Sequence, residues 1–534
     1  MKKKNFEVYF IILFMSFIVF GTTIVLGTLT SGWHFVDDEE LFYYQYLMNY
    51  NNMSLWDVIK AQLAIDRTTR NNSLYYPTRI LIFYIFGANS FALSVVKAVQ
   101  TVIAMVLLYF CGKKISDSVR ISLLFSLTCY VGYQSAVWWK LGPPHVEATI
   151  CFGLAFLFLL KWLENTKKKA FMLISFIFMI MMGYYHESFF MLIPFMGAYV
   201  IYDAYKKNEF TGIRFKTNSI IVSIREIFEI LGKRSIYAIA AFLAFILIML
   251  SIVLRLGLNS YDAVGVDAST SIISYIKMII LSLDYDIKWY WKFGVALVCV
   301  LLTFYEKLKR CIPEILVAGL IVVPQFVLYG KEGISERYIL PAVIGYALFF
   351  VVFMLREPIM SGMRKKIYII LLIVLLFVNA HAMVVEADYY RFRGQSVTRA
   401  LEQIEEMSAK GYNVMSCLGN SNPEAEMVVE YYLLSKGKNN IFYWNQDKSI
   451  VSDERAFGNP NSKEVIPLSQ VDVVVAYNRN DRHFEVDPNF DLSDFVLIRA
   501  GSIDIYYKND ALNEVTDELK SSLYVKPTLY GIGE

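Results

Sequence analysis

The sequence predicts an α-helical polytopic membrane protein of about eleven transmembrane helices, carrying a C-terminal extracytoplasmic α/β domain. Three observations predict it. Of 534 residues, 56% are hydrophobic, 16% aromatic and only 19% charged, and the mean hydropathy is +0.44, a balance that a soluble domain of this length does not sustain. Apolar runs of spanning length recur between short basic clusters. After Glu386 those runs stop, and the rest of the chain alternates between short helical and strand-like patterns. The expected division is therefore a membrane domain over 1–386 and an outer domain over 387–534.

The first span follows from "MKKKNFEVYFIILFMSFIVFGTTIVLGTLT", in which Lys2, Lys3 and Lys4 precede roughly twenty apolar residues with no small-residue cleavage site, so it reads as a retained anchor running from inside to outside. Further spans are expected near 91–111, 119–139, 146–163, 170–185, 189–205, 235–256, 289–305, 313–330, 338–355 and 367–386. Charge tests this parity, because cytoplasmic loops hold the Lys/Arg excess. "CGKK", "NTKKK", the long basic stretch 205–234, "EKLKR" and "MRKK" all fall on the inner side. Leu74–Gly87 and Ser271–Leu283 are too short to span and are expected as interfacial helices on the outer side. The expected location is thus a plasma or inner membrane, N-terminus cytoplasmic. The net charge of +3 is spread over these short clusters and gives no nucleic-acid face, while the six cysteines form no disulfide or CxxC framework.

This topology puts the acidic stretch "HFVDDEELFYY", residues 34–44, outside, in a first outer loop over 30–79. A loop of about fifty residues is unusual unless it is functional. Inside it, "SLWDVIKAQLAI" places Leu55, Ile59 and Leu63 at helical spacing beside Trp56, suiting a helix in the headgroup layer. Acids at a helix start complement its dipole, but four exceed what a cap requires. The same loop supplies Arg67, Arg70 and Arg79. Other outer span ends bring Lys140, His145 and Glu147, then His186 and Glu187, then Lys331, Glu332, Glu336 and Arg337. No HExxH or similar ligand spacing accompanies the histidines.

In the outer domain, "SVTRALEQIEEMSAKG" reads as a helix ending at Gly411, "YNVMSCLG" as a strand, and "PEAEMVVEYYLLSKG" as a helix from Pro423 to Gly437. "VDVVVAYN" and "FVLIRAGSIDIYYKN" read as strands, the second a hairpin through "AGS". No nucleotide-binding glycine pattern opens a helix here, and acceptor recognition is the role expected of this domain.

The acidic motif directly after the first span, the amphipathic helix in that loop, "ERYILPA" opening a late span and the outer C-terminal domain together resemble the GT-C superfamily. These are polytopic glycosyltransferases that use polyprenyl-phosphate-linked sugars, among them protein O-mannosyltransferases and aminoarabinose transferases. The resemblance implies a GT-C-like membrane fold and transfer of a sugar, with inversion, from a polyprenyl-phosphate donor to an envelope acceptor: a cell-wall polymer, teichoic acid or surface glycan. The implied partners are the lipid donor, that acceptor, and an upstream polyprenyl-phosphate glycosyltransferase and flippase, with no nucleic acid.

Such chemistry needs a base for the acceptor hydroxyl and cations for a phosphate that leaves as an anion. Asp37, Asp38 and Glu39 are the acid candidates, and Asp38 is shared by both ways of aligning the acid pair. Arg79, Lys140, His145, Lys331 and Arg337 are the phosphate candidates, with Arg67, Arg70, His186 and Glu187 behind them. Adjacent carboxylates can tune a base by repulsion or share a divalent cation with the donor phosphate; the sequence leaves both open. A lipid or glycan transporter would instead show ionisable residues near mid-membrane or broken-helix repeats; Lys97, Lys161 and Arg255 lie near span ends. A non-catalytic assembly subunit is the third reading.

Overall fold

A computed structural model of the chain describes residues 2–207, 229–256, 311–332, 337–356, 362–418, 423–438, 441–445, 450–452, 465–477, 491–509 and 517–529, apart from Val36 and Arg70, with isolated positions between 273 and 280. The expected span 289–305 and the interfacial helix 271–283 lie outside the described residues.

The membrane region opens with α1 (Lys2–Val25), whose apolar part follows the three lysines at its start. The outer loop folds into α2 (Glu39–Asn49), α3 (Leu55–Thr69) and α4 (Tyr75–Phe86). Helix α3 buries Val58 and Ile59 and exposes Ile65 and Trp56, the tryptophan that the sequence reading sets beside Ile59. Then follow α5 (Ser90–Ser116), α6 (Val119–Tyr130), α7 (His145–Glu164), α8 (Lys169–Tyr185), the single turn α9 (Glu187–Phe190), α10 (Ile193–Lys206), α11 (Arg234–Leu256), α12 (Ile312–Glu332) and α13 (Leu340–Ala347), which continues as a π-helical turn over Leu348–Phe353.

Among the described residues, six helices are long and apolar enough to cross a membrane, and four further apolar helices are shorter. The protein is therefore a largely helical, multi-pass membrane protein, with fewer qualifying helices than the about eleven expected from apolar runs alone. The stretch 119–139 accounts for part of the difference. It is one α-helix only to Tyr130; Gly132 then takes φ 141°, a conformation a side chain rarely adopts, and the chain tightens into a 3-10 turn over Tyr133–Trp138.

The last long helix, α14 (Gly362–Ala409), is 48 residues without a break. It passes through Glu386, where the apolar run ends, and enters the outer domain. There β1 (Val414–Ser416), α15 (Pro423–Ser435), β2 (Ile441–Asn445), β3 (Ile450–Ser452), β4 (Val465–Ile466), β5 (Val473–Tyr477), β6 (Phe495–Ala500) and β7 (Ile503–Lys508) precede the short α16 (Asp517–Leu523). The sheet order is β4-β3-β2-β1-β5-β7-β6. Strand β1 pairs in parallel with β2 and β5, and β6–β7 form the expected antiparallel hairpin, Ala500 facing Ile503. Strands β2, β3 and β4 were not legible as strands.

The outer domain rests on the first outer loop. Phe42 meets the Tyr432 ring edge-on at 5.1 Å and Tyr43 meets Tyr431 at 4.8 Å, joining α2 to α15. Phe35 meets Tyr477 of β5 at 5.6 Å. The Trp33 backbone N–H donates to Thr398 Oγ1 of α14 at 2.6 Å.

Candidate active site

The acidic motif lies between these layers. Asp38 stands at the start of α2, where an aspartate commonly caps the helix, but its side chain makes no capping bond. Its Oδ2 instead accepts the backbone N–H of His34 at 2.8 Å. Asp38 is 1% exposed. Burial raises its pKa to about 7, and the Asp37 charge adds to the rise; Arg79 and the His34 N–H oppose it.

Asp37 adopts φ 68°, a left-handed conformation that aspartate tolerates better than most residues. Its Oδ2 accepts from Arg337 Nη1 at 2.6 Å. The loop around Gly142 covers it so closely that a Cβ at position 142 would lie 2.1 Å from the Asp37 Cβ. Glu39 is buried, with Oε2 lacking a partner among the described residues, and its pKa is held well above the usual carboxylate range by burial, then by Asp37, Glu40 and Glu424. The fourth acid, Glu40, accepts from Arg79 Nη1 at 2.6 Å.

Arg79 is buried and turned inward: besides Glu40 it donates to the Tyr75 hydroxyl and to the Asp37 carbonyl. Tyr75 in turn donates to the Gly142 carbonyl. The guanidinium thus ties α2, α4 and the 140–145 loop together.

A cavity of about 520 Å³ opens beside Asp38, lined also by His34, Trp139 and Lys140. Its other wall is the middle of α14, through Glu386, Tyr389, Tyr390 and Arg393. The His34 ring stacks on Tyr390 at 3.6 Å and 13°. Gly394 makes room for this stack, since a Cβ there would sit 2.5 Å from His34 Nε2. Burial, then the charges of Lys140 and Arg393, push the His34 pKa well down, so the imidazole is neutral and both cations face it.

His145 and His186 form a second group. Their ring centroids are 4.2 Å apart, and Tyr338 lies 6.1 Å from His145 and 5.7 Å from His186. His186 Nδ1 accepts the Ser188 backbone N–H at 3.2 Å, and its Nε2 lies 4.0 Å from Glu187 Oε2. Both ring nitrogens of His145 are buried without a hydrogen-bond partner among the described residues. Arg337 lies over the Tyr338 ring at 5.6 Å while holding Asp37, which connects this group to the acids.

Of the sequence candidates, the structure therefore brings together Asp37, Asp38, Glu39, Arg79, Lys140 and Arg337, with His145, His186 and Glu187 one residue further out. Arg67 is exposed on α3. Arg70 and the side chain of Lys331 lie outside the described residues. Among the described residues no three His, Cys, Asp or Glu side chains converge to hold a metal; Asp37 is engaged by Arg337 and Asp38 by a backbone N–H. Sequence reasoning missed the α14 wall. Its signal was present in "EADYYRFRG", where Glu386, Tyr389, Tyr390 and Arg393 repeat at helical spacing just beyond the last apolar run.

Fold and site together define a class: a multi-pass helical membrane protein with an acid-and-cation cavity at its outer-loop motif, closed over by a mixed α/β domain. Residues 78–211 match the model of the family described as "Dolichyl-phosphate-mannose-protein mannosyltransferase", and over that stretch the GT-C resemblance is borne out. The matched segment contains Arg79, Trp139, Lys140, His145 and His186 and begins after the acidic motif. No curated protein matches the chain.

Similar solved structures include ArnT from Cupriavidus metallidurans bound to undecaprenyl phosphate, at 9% identity and TM-score 0.38, covering 78% of this chain and 74% of that one. Another is the oligosaccharyltransferase AglB from Archaeoglobus fulgidus in complex with an inhibitory peptide and a dolichol-phosphate, at 12% identity and TM-score 0.41, covering 88% and 69%. A third is the A. fulgidus oligosaccharyltransferase complex with Zn and sulfate, at 12% identity and TM-score 0.34, covering 75% and 58%. Likeness at this level carries no residue correspondence.

Proposed function

We propose that the protein is a glycosyltransferase that moves a sugar from a polyprenyl-phosphate-linked donor to a hydroxyl of an extracytoplasmic envelope polymer. One observation carries the reading: Asp38, a buried acid with a pKa near neutrality, shares one cavity with two cations, Lys140 and Arg393. The positive-inside pattern and the family match over 78–211 support it.

In this reading the Asp38 carboxylate takes the proton of the acceptor hydroxyl as its oxygen bonds to the anomeric carbon. The bond from that carbon to the phosphate oxygen breaks, and the electron pair leaves on the lipid phosphate. Lys140 and Arg393 stabilise that anion in a site that excludes bulk water. Attack opposite the departing phosphate inverts the anomeric centre. Asp37 and Arg79 act as positioning residues, the first through Arg337 and the second through Glu40. About eleven spans, an inner N-terminus and an outer C-terminal domain complete the proposal, with an upstream polyprenyl-phosphate glycosyltransferase and flippase supplying the donor.

The test is transfer from radiolabelled polyprenyl-phosphate sugars to envelope acceptors in nanodiscs, comparing wild type with Asp38→Asn. Loss of about a hundredfold or more is expected, the scale of general-base catalysis, with unchanged membrane insertion. Wild-type turnover in the variant would remove Asp38 from the mechanism, and no transfer from any donor by the wild type would overturn the reading.

A further inference from the structure

The buried acid is held by a piece of chain with no regular structure of its own. Residues 31–34, between α1 and the acids, form neither helix nor strand, so the His34 N–H that Asp38 accepts must be fixed from outside. Helix α14 supplies the support. Tyr390, Gly394 and Thr398 fall at i, i+4 and i+8, on one face of that helix, and each takes a different group of the segment. Thr398 Oγ1 accepts the Trp33 backbone N–H at 2.6 Å. Tyr390 stacks on the His34 ring at 3.6 Å, and its hydroxyl donates to the Trp139 carbonyl at 3.4 Å. Gly394 lets the segment come close: a Cβ there would lie 2.5 Å from His34 Nε2 and 2.6 Å from the Ser31 carbonyl oxygen.

The fit is close from both sides. Gly32 takes φ 85°, and a Cβ on it would overlap the Thr398 hydroxyl, so two glycines allow the segment to lie directly on the helix. The N–H that Asp38 accepts belongs to the planar peptide between Trp33 and His34. Thr398 holds that peptide on its Trp33 side, and Tyr390 holds it on its His34 side. Its direction is therefore set by α14, and with it the place of the Asp38 carboxylate. Neither Gly394 nor Thr398 lines the cavity, so whatever they do for a reaction there they do through this peptide.

We infer that Tyr390, Gly394 and Thr398 are positioning residues for the Asp38 base, clamping the 33–34 peptide whose N–H fixes its carboxylate. This rests on the transferase reading above and adds to it how the base is placed. The clamp has a consequence that plain packing lacks. Donation by the His34 N–H favours the ionised carboxylate and opposes the upward push of burial, so loosening the peptide raises the pKa of the base. Other groups act on Asp38 as well: Arg79 and Asp37 by charge, and Lys140, Arg393, Glu386 and Tyr390 across the shared cavity. Substitutions at 394 and 398 leave all six in place.

The experiment measures kcat, donor KM and the pH profile of kcat/KM for the full chain in nanodiscs, with the radiolabelled polyprenyl-phosphate sugar on which the wild type is most active. Wild type, Thr398→Val and Gly394→Ala are compared. Thr398→Val keeps the shape and removes only the acceptor of the Trp33 N–H, so it retains the fold even where the added methyl of Gly394→Ala does not. The expected kcat at pH 7 is about tenfold lower in each folded variant, the scale of a misplaced catalytic group, with donor KM within about twofold of wild type. The pH midpoint of kcat/KM is expected to rise by about one unit, since the base has lost a donor to its charged form. A merely structural role would lower the amount of active enzyme and leave the midpoint in place. An unmoved midpoint in the folded variants, or a raised KM with unchanged kcat, would overturn the inference, while loss of transfer in Asp38→Asn still upheld the transferase reading. Absence of transfer by the wild type from every donor would overturn that reading, and the inference with it.

Discussion

Asp38 occupies a capping position without capping. Its carboxylate takes the His34 N–H at 2.8 Å and otherwise faces a cavity, and burial leaves its pKa at about 7. A base works only when ionised, so kcat/KM should rise with pH through about 7 and level off above it; a pH profile flat from 5.5 to 8.5 would exclude Asp38 as the base. Stability runs the other way. The folded pKa lies above the ordinary aspartate value of about 3.9, so the native state holds the extra proton between the two values. The Asp38 contribution is then most favourable at low pH and is lost as pH rises through about 7. Glu39 makes the contrast. Its carboxyl is buried, raised in pKa and absent from the cavity lining, and Glu39→Gln is close in shape to the neutral form that burial favours. That variant should transfer sugar at wild-type rates; a loss comparable to Asp38→Asn would assign catalysis to the wrong acid. The order of the acids was legible in the sequence, but their separate roles were not. Those roles depend on backbone turns at 37–38 that place one carboxylate against Arg337 and its neighbour against an N–H.

At the scale of elements, the outer loop is held by Arg79, which joins α4 to Glu40 of α2 and to the Asp37 carbonyl. The sequence marked this arginine as a phosphate ligand because it ends an outer loop; burial and three protein partners give it a positioning role in the present reading. Arg79→Met should therefore destabilise the folded protein by about 1–3 kcal/mol, the cost of leaving half-buried Glu40, the Tyr75 hydroxyl and the Asp37 carbonyl without their donor. Thermal unfolding in detergent would show it, and an unshifted midpoint would mean that Glu40 finds water or another cation. Helix periods, the β6–β7 hairpin and the amphipathic α3 were readable, because each depends on local spacing. Strands β2, β3 and β4 were not, since they are short and gain their pairing in series, β2 on β1, β3 on β2 and β4 on β3. The 119–139 run misled for the opposite reason: its composition suits a span, and only the turn at Gly132 stops the helix.

The whole molecule joins its two regions through the acidic loop. Phe42, Tyr43 and Phe35 meet aromatic rings of the outer domain at 4.8 to 5.6 Å, so the sheet domain holds α2 from above. A chain ended after Ala409 keeps the α14 wall yet loses α15 and β5. It should insert in the membrane and bind donor lipid, but transfer at least about tenfold more slowly, since misplaced catalytic groups lose rate steeply. Normal transfer would remove both the placing of the acidic loop and acceptor recognition as roles of the domain.

The change of composition at Glu386 reads as a boundary, yet the backbone runs on as one helix to Ala409, and the cavity wall begins at that very residue. The two regions are consequently not separable modules. Exchanging everything from Glu386 onward between two such proteins would exchange one wall of the cavity along with the outer domain. In any lineage where that segment recombined, Tyr390 and Arg393 would be inherited with the exterior of the protein, while Asp38 and Lys140 stayed with the membrane part.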